Sequence, residues 1–294
     1  MKSKFLFPTW CNIVGYLLAI PGFILGYLYT IKDYEIPGFG FKTREKDGLF
    51  QKAFENFTNE LAIFLVIGGL ILIAFSKSKK EDELSAKLRL NSLYWSIMIY
   101  YVLYIVGYLY SAIIGEIPFI GDHLVEINLF TPLVIFICRY NYLKLVNKDS
   151  YHLSQPRFLP NKPFKPFGII LSFIGFALLT TSIIISSRKE WVNILETLSY
   201  LVLVFGLLFW SFSKNKEADE MIMQQRLEGL QLAVYFNYAV ILLFNLITYS
   251  IMFLYVLIFA QFSILLFFII RMEYINYKNN KQLNTFDEGM SYEK

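Results

Sequence analysis

The stretch FSKSKKEDELSAKLRLNSL (75–93) returns without a gap, 137 positions later, as FSKNKEADEMIMQQRLEGL (212–230). Nine of the nineteen aligned positions are identical, and in both places the polar stretch separates two long apolar runs. A similar match relates GYLLAIPGFILG (15–26) to GIILSFIGFALL (168–179). Recurrence of this kind predicts that the chain carries the same structural unit twice, which constrains its architecture before any single helix is considered.

The composition predicts a membrane protein with several spans. Of the 294 residues, 56% are hydrophobic and only 17% are charged, whereas about a quarter of the residues in a soluble domain are charged. The charges are clustered and leave apolar runs of about 20 residues, the length of helix that crosses ~30 Å of hydrocarbon. We therefore expect an all-α fold with eight transmembrane helices, as two tandem four-helix repeats in parallel orientation.

The apolar runs give the positions of these spans. They are 11–31, 58–75, 92–114, 123–142, 167–186, 194–212, 230–249 and 251–271. The run from Leu230 to Ile270 would be about 60 Å long as one helix, so it must turn back. Comparison with the first copy predicts that turn around Thr248-Tyr249-Ser250.

The same pattern divides the chain into segments. We expect a first membrane repeat at 1–143, a Pro-rich cytoplasmic linker at 144–166, a second repeat at 167–277 and a disordered cytoplasmic tail at 278–294. With the N-terminus inside, 20 of the 27 Lys and Arg residues fall on the cytoplasmic side. The positive-inside rule then predicts that both termini lie in the cytoplasm.

The repeated motif supplies the candidate site. Its acids stand where a helix would begin, and its arginine follows seven residues later, about 10 Å along the axis, so each charge needs a partner elsewhere. One hypothesis is a salt-bridge cluster that docks a cytosolic partner, formed by Asp82, Glu83, Arg89 and Arg139 and repeated by Asp219, Glu220, Arg226 and Arg271. The alternative is simple helix capping by the acids, with arginines placed by the positive-inside rule.

A second candidate set is polar and lies inside the predicted spans. It comprises Tyr100, Tyr104 and Tyr108 on one helical face, and Asn237 and Asn245 at matching heights in the second copy. Polar groups in a membrane need partners, so these positions are expected to face protein or a hydrated cavity. They either form interhelical hydrogen bonds or line a solute path between the copies.

Enzymatic and cofactor signatures are missing from the sequence. It has no HExxH, Gly-x-Ser-x-Gly, P-loop or dinucleotide-binding motif, and its two cysteines and two histidines lack zinc-ligand spacing. His123 and Glu126 could share a cation, but the second copy has no equivalent charges there. We expect no enzyme activity, no cofactor, no resident metal and no direct binding of nucleic acid.

The motif also resembles a known pattern. KKEDELSAKLRLNSLYW (79–95) is similar to a segment of uncharacterised four-span bacterial inner-membrane proteins, matching at Glu81, Asp82, Glu83, Arg89, Ser92, Leu93 and Trp95. The second copy departs at Ala218, Gly229 and Leu232. Proteins of that family are often encoded beside small helix-turn-helix regulators, so the resemblance implies a regulatory membrane protein with a cytosolic regulatory protein as its partner. The rival interpretation is a transporter or channel with its path between the two repeats.

Overall fold

The fold was analysed in a computed structural model, which describes residues 5–41, 55–79, 83–115, 124–146, 158–185, 190–214, 220–247 and 251–292. In these ranges the chain is almost entirely helical. The elements are α1 (Cys11–Lys32), β1 (Gly40–Phe41), β2 (Glu55–Asn56), α2 (Thr58–Ala74), α3 (Glu83–Ile113), α4 (Leu124–Val146), α5 (Phe164–Ile185), α6 (Glu190–Phe212), α7 (Glu220–Ile247) and α8 (Ile251–Tyr292). The short strands β1 and β2 form one antiparallel pair. The predicted all-α class is confirmed.

The helices form where the sequence is apolar, because a helix satisfies all of its interior backbone hydrogen bonds within one segment. Six of them are long and apolar enough to cross a membrane: α1, α3, α4, α5, α7 and α8. The apolar helical segments Thr58–Ala74 and Thr197–Phe212 are shorter. α7 ends at Ile247 and α8 begins at Ile251; the turn predicted around Thr248-Tyr249-Ser250 lies outside the described residues. The chain is a multi-pass membrane protein.

The chain divides into two compact units. Unit 1 comprises residues 1–156 and 237–261, and unit 2 comprises residues 157–236 and 262–294. In unit 1, α1 packs on α2, α3 packs on α4, and α2 also contacts α4. In unit 2, α5 packs on α6. The boundaries differ from the tandem division at 143 and 167, because residues 237–247 of α7 and 251–261 of α8 belong to the first unit. The two-repeat arrangement stays a prediction.

Small residues allow the first two helices of each copy to approach closely. In unit 1, a Cβ added to Gly69 would lie 2.6 Å from the backbone nitrogen of Ala19. In unit 2, a Cβ added to Gly206 would lie 2.5 Å from the backbone nitrogen of Ser172. These distances leave no space for a side chain, and close approach through small residues is how membrane helices gain packing energy without a hydrophobic driving force. Gly69 and Gly206 are aligned in the repeat, as are Ala19 and Ser172.

The end of the chain differs from the sequence expectation. The backbone of α8 is helical as far as Tyr292, through most of the segment 278–294 that composition predicted to be a disordered tail. A polar segment attached to an existing helix needs no new nucleus, and only propagation of the helix is required. The segment contains Lys, Glu, Gln and Met, which are favourable helix formers.

The glycine contacts yield a test with a matched control. We expect Gly69→Ala and Gly206→Ala each to lower the free energy of unfolding by about 1–3 kcal/mol, because an added methyl group overpacks a backbone contact. Gly68→Ala is the control, since no atom lies within 4 Å of its added Cβ, and alanine is the better helix former. Denaturation of the purified protein in mild detergent measures the difference. Equal stability of all three variants would contradict the close contact.

Candidate functional site

The arginine of the repeated motif is buried in unit 1. Arg89 lies on α3 and is only 1% exposed. Its Nη2 donates to the backbone carbonyl of Ser76 at 3.1 Å and to the hydroxyl of Tyr140 at 3.3 Å. The guanidinium also lies over the Tyr140 ring, 5.1 Å from its centroid. Arg89 therefore joins the start of α3 to the segment that follows α2 and to α4.

The equivalent arginine has the same role in unit 2. Arg226 lies on α7 and is 5% exposed. Its Nη1 donates to the carbonyl of Ser213 at 2.7 Å, and its Nη2 donates to the carbonyl of Ser211 at 2.5 Å. The guanidinium lies 4.3 Å from the ring centroid of Phe158 and 5.9 Å from that of Phe268. Ser213 and Ser76 are aligned in the repeat, so the two arginines bind equivalent carbonyls.

The serine that carries this carbonyl lies in a short backbone bridge between two chain segments. Phe7 accepts a hydrogen bond from Lys77 N and donates to the carbonyl of Phe75, both at 2.9 Å. In unit 2, Leu159 forms the same pair of bonds with Lys214 and Phe212, both at 2.8 Å. Each bridge therefore fastens the segment before the first helix of a copy to the segment after its second helix. We call the bridge and its arginine the arginine clamp: Arg89 with Phe7 and Ser76, or Arg226 with Leu159 and Ser213.

The acids of the predicted cluster are only partly within the described residues. Glu83 forms an ion pair with Lys87 at 3.1 Å, and both side chains are more than half exposed. Asp82 and Asp219 lie outside the described residues, as does the side chain of Glu220. The complete salt-bridge cluster therefore stays a prediction.

The remaining two arginines of the predicted cluster stack on aromatic rings. The guanidinium of Arg139 lies 5.5 Å from the ring centroid of Trp95. That of Arg271 lies 5.9 Å from the ring centroid of Tyr274. Arg271 is exposed, whereas Arg139 is half-buried. These two positions are aligned in the repeat but have different neighbours.

The predicted intramembrane polar positions all lie in unit 1. Tyr100, Tyr104, Asn237 and Asn245 are buried, and Tyr108 is half-buried. The Tyr104 hydroxyl donates to Oε1 of Gln261, and Nδ2 of Asn245 donates to the carbonyl of Glu60 at 2.9 Å. The rings of Tyr104 and Tyr108 are stacked, with centroids 5.9 Å apart. These contacts join α3 to α8 and α7 to α2 by interhelical hydrogen bonds.

Unit 2 also contains a polar group that the sequence analysis missed. Oε1 of Glu273 on α8 lies 3.0 Å from Nζ of Lys165 on α5, and it accepts a hydrogen bond from Nε1 of Trp210 on α6 at 3.3 Å. The signal was present in the alignment of the two copies, because the first copy has Asn12, Ile73 and Asn141 at these positions. The motif predictions rested on residues that are identical in the two copies, whereas Lys165, Trp210 and Glu273 lie at positions where the copies differ.

No group of three potential metal ligands from His, Cys, Asp and Glu occurs within the described ranges. His123 and the side chain of Glu126, named above as a possible cation pair, lie outside those ranges. No protein-family model, curated protein or solved structure matches this chain. The fold and the site therefore have to be interpreted from their own chemistry.

The buried arginines give a second prediction. We expect Arg226→Gln to lower the free energy of unfolding by about 2–3 kcal/mol, because buried carbonyls lose a charge-assisted donor. Arg226→Lys should recover only part of this loss, since an ammonium group lacks the planar fork that reaches two carbonyls. Arg271→Gln removes the same charge from an exposed position and serves as the control. Thermal unfolding of the three variants is the measurement, and a midpoint for Arg226→Gln no lower than that for Arg271→Gln would contradict the clamp.

Proposed function

We propose that this protein is a non-enzymatic membrane protein that docks a cytosolic regulatory protein through the acids of its repeated motif. The observation that carries the proposal is the division of roles within the motif. Arg89 and Arg226 are buried and bonded to backbone carbonyls, whereas Glu83 is exposed on α3. The arginines thus explain how the motif folds, whereas Glu83 lies at the surface, where a docking protein can reach it.

The exposed ion pair suits a surface that exchanges partners. Glu83 and Lys87 are i, i+4 neighbours on a helix, and an exposed pair of this kind contributes little to stability. A basic group on a docking protein can therefore replace Lys87 at little cost. Glu81 and Asp82 precede Glu83 in the sequence, so the segment carries three consecutive negative charges, and the expected partner surface is basic. Such a surface is compatible with the helix-turn-helix regulators that the family resemblance implies.

The proposal includes an orientation and an architecture. It places the clamps, the linker and both termini in the cytoplasm of a bacterial cell, with the protein in the inner membrane. Support comes from the distribution of Lys and Arg in the sequence. It also treats the chain as two parallel four-helix repeats, which is supported by the recurrence of the arginine clamp and of the glycine contact in the two units.

A transporter or channel is the second candidate. The buried polar side chains of α3 and its neighbours favour it, because polar groups inside a membrane often mark a solute path. In unit 1, however, Tyr104 bonds directly to Gln261, and Asn245 bonds to a backbone carbonyl. Direct hydrogen bonds of this kind between helices support interhelical packing more than conduction.

The docking proposal predicts a partner that depends on the motif acids. We expect a stoichiometric cytosolic protein to copurify with the tagged wild-type protein in mild detergent from its native host, and to be lost with Asp82→Ala/Asp219→Ala. Mass spectrometry of the two preparations is the measurement. Asp33→Ala/Glu35→Ala is the control, since it removes two exposed acids from the side predicted to be external.

Two results would count against docking. One is a preparation in which no cytosolic protein accompanies the wild type, and the other is equal loss of the partner in the control variant. Solute flux through liposomes that contain the purified protein then tests the second candidate. A flux reduced by Tyr104→Phe and unchanged by Asp82→Ala would favour the transporter.

A further inference from the structure

The polar group of unit 2 borders a pocket. A small pocket that is partly open to solvent lies between Lys165, Trp210, Arg226, Met272, Glu273 and Asn276. The polar ends of these side chains come from α5, α6, α7 and α8, so four helices contribute to one site. The pocket lies in unit 2, at the helix ends that the sequence predicts to face the cytoplasm.

The ion pair between Lys165 and Glu273, which lines this pocket, is not needed to form the arginine clamp. Unit 1 has a clamp with the same backbone bridge and an arginine on the equivalent serine carbonyl. It nevertheless carries Asn12, Ile73 and Asn141 where unit 2 has Lys165, Trp210 and Glu273. A charged pair is weak evidence of a stabilising role, because desolvation offsets much of its attraction. Three coordinated differences at neighbouring positions therefore point to binding rather than to folding.

The chemistry of the pocket is that of an oxyanion site. Lys165 and Trp210 both direct N–H groups at a single oxygen, Oε1 of Glu273, and the amide of Asn276 bonds to the same carboxylate. Arg226 adds a positive charge from the pocket lining, while its Nη atoms remain on the serine carbonyls. With Lys165, Arg226 and Glu273 ionised, the lining carries one net positive charge.

We propose that this pocket binds a singly charged phosphate group, with Glu273 as the internal carboxylate that the phosphate displaces from Lys165 and Trp210. Lys and Arg are the usual partners of phosphate oxygens, and basic pockets between membrane helices on the cytoplasmic side bind lipid headgroups. Phe268, Ile269 and Met272 line the rest of the pocket, so the same site offers apolar contact beside the phosphate. The phosphate belongs either to an anionic phospholipid or to a free phosphate ion.

The test uses opposite effects of the two halves of the ion pair. Delipidated full-length protein is titrated with short-chain phosphatidylglycerol, short-chain phosphatidylcholine and sodium phosphate, and binding is followed by native mass spectrometry and by the thermal unfolding midpoint. We expect Lys165→Gln to weaken binding of the anion about tenfold, as expected for loss of one hydrogen bond to a charged group. Glu273→Gln should tighten it, because the competing carboxylate is removed. Lys162→Gln removes an exposed lysine three residues away and should leave binding unchanged.

The outcomes separate the sources of the phosphate and test the site. Binding of phosphatidylglycerol alone assigns the pocket to a phospholipid headgroup, and comparable binding of sodium phosphate assigns it to free phosphate. If neither ligand binds, or if Lys162→Gln weakens binding as much as Lys165→Gln, the proposal is wrong. Equal losses of thermal stability in Lys165→Gln and Glu273→Gln, without any change in affinity for the anion, would instead show that the ion pair only holds the helices together.

Discussion

The structure depends on how a few backbone carbonyls are satisfied where apolar helices end. Ser76 and Ser213 follow the second helix of each copy, and each carbonyl is bonded to a buried guanidinium. A buried polar group without a partner costs about as much as a lost hydrogen bond, and a buried charge without one costs more. The clamp avoids both costs, because the arginine donates to backbone carbonyls and the serine carbonyl accepts a hydrogen bond from it.

The clamp also explains why these two motif positions are arginine. A guanidinium presents several N–H groups in one plane, so Arg226 reaches two carbonyls while the face of its planar group lies over Phe158. Lysine would offer a more strongly hydrated point charge without that geometry. The bridge at Leu159 and the glycine contact at Gly206 then hold α5, α6 and the start of α7 in a single local arrangement.

Sequence alone predicted most of the fold, because apolar length and turn positions decide where membrane helices run. It predicted the ends of α1 and α2 to within one residue. It did not predict the acceptors of Arg89 and Arg226, since a sequence suggests partners by charge and gives no sign of a backbone carbonyl. Nor did it predict the helical backbone at 278–292, because composition describes an isolated segment and not one attached to an existing helix.

The Lys165–Trp210–Glu273 group was missed for a different reason. The repeat directs attention to the positions that the two copies share, and those include Arg89, Arg226, Gly69 and Gly206. Each of them now has a folding role, since the arginines bind carbonyls and the glycines allow the helices to touch. A duplicated unit must keep what its fold requires and can vary elsewhere. Positions at which the two copies carry different chemistry are therefore a guide to function beside the shared acids of the motif, and in this chain they lead to the pocket beside Arg226.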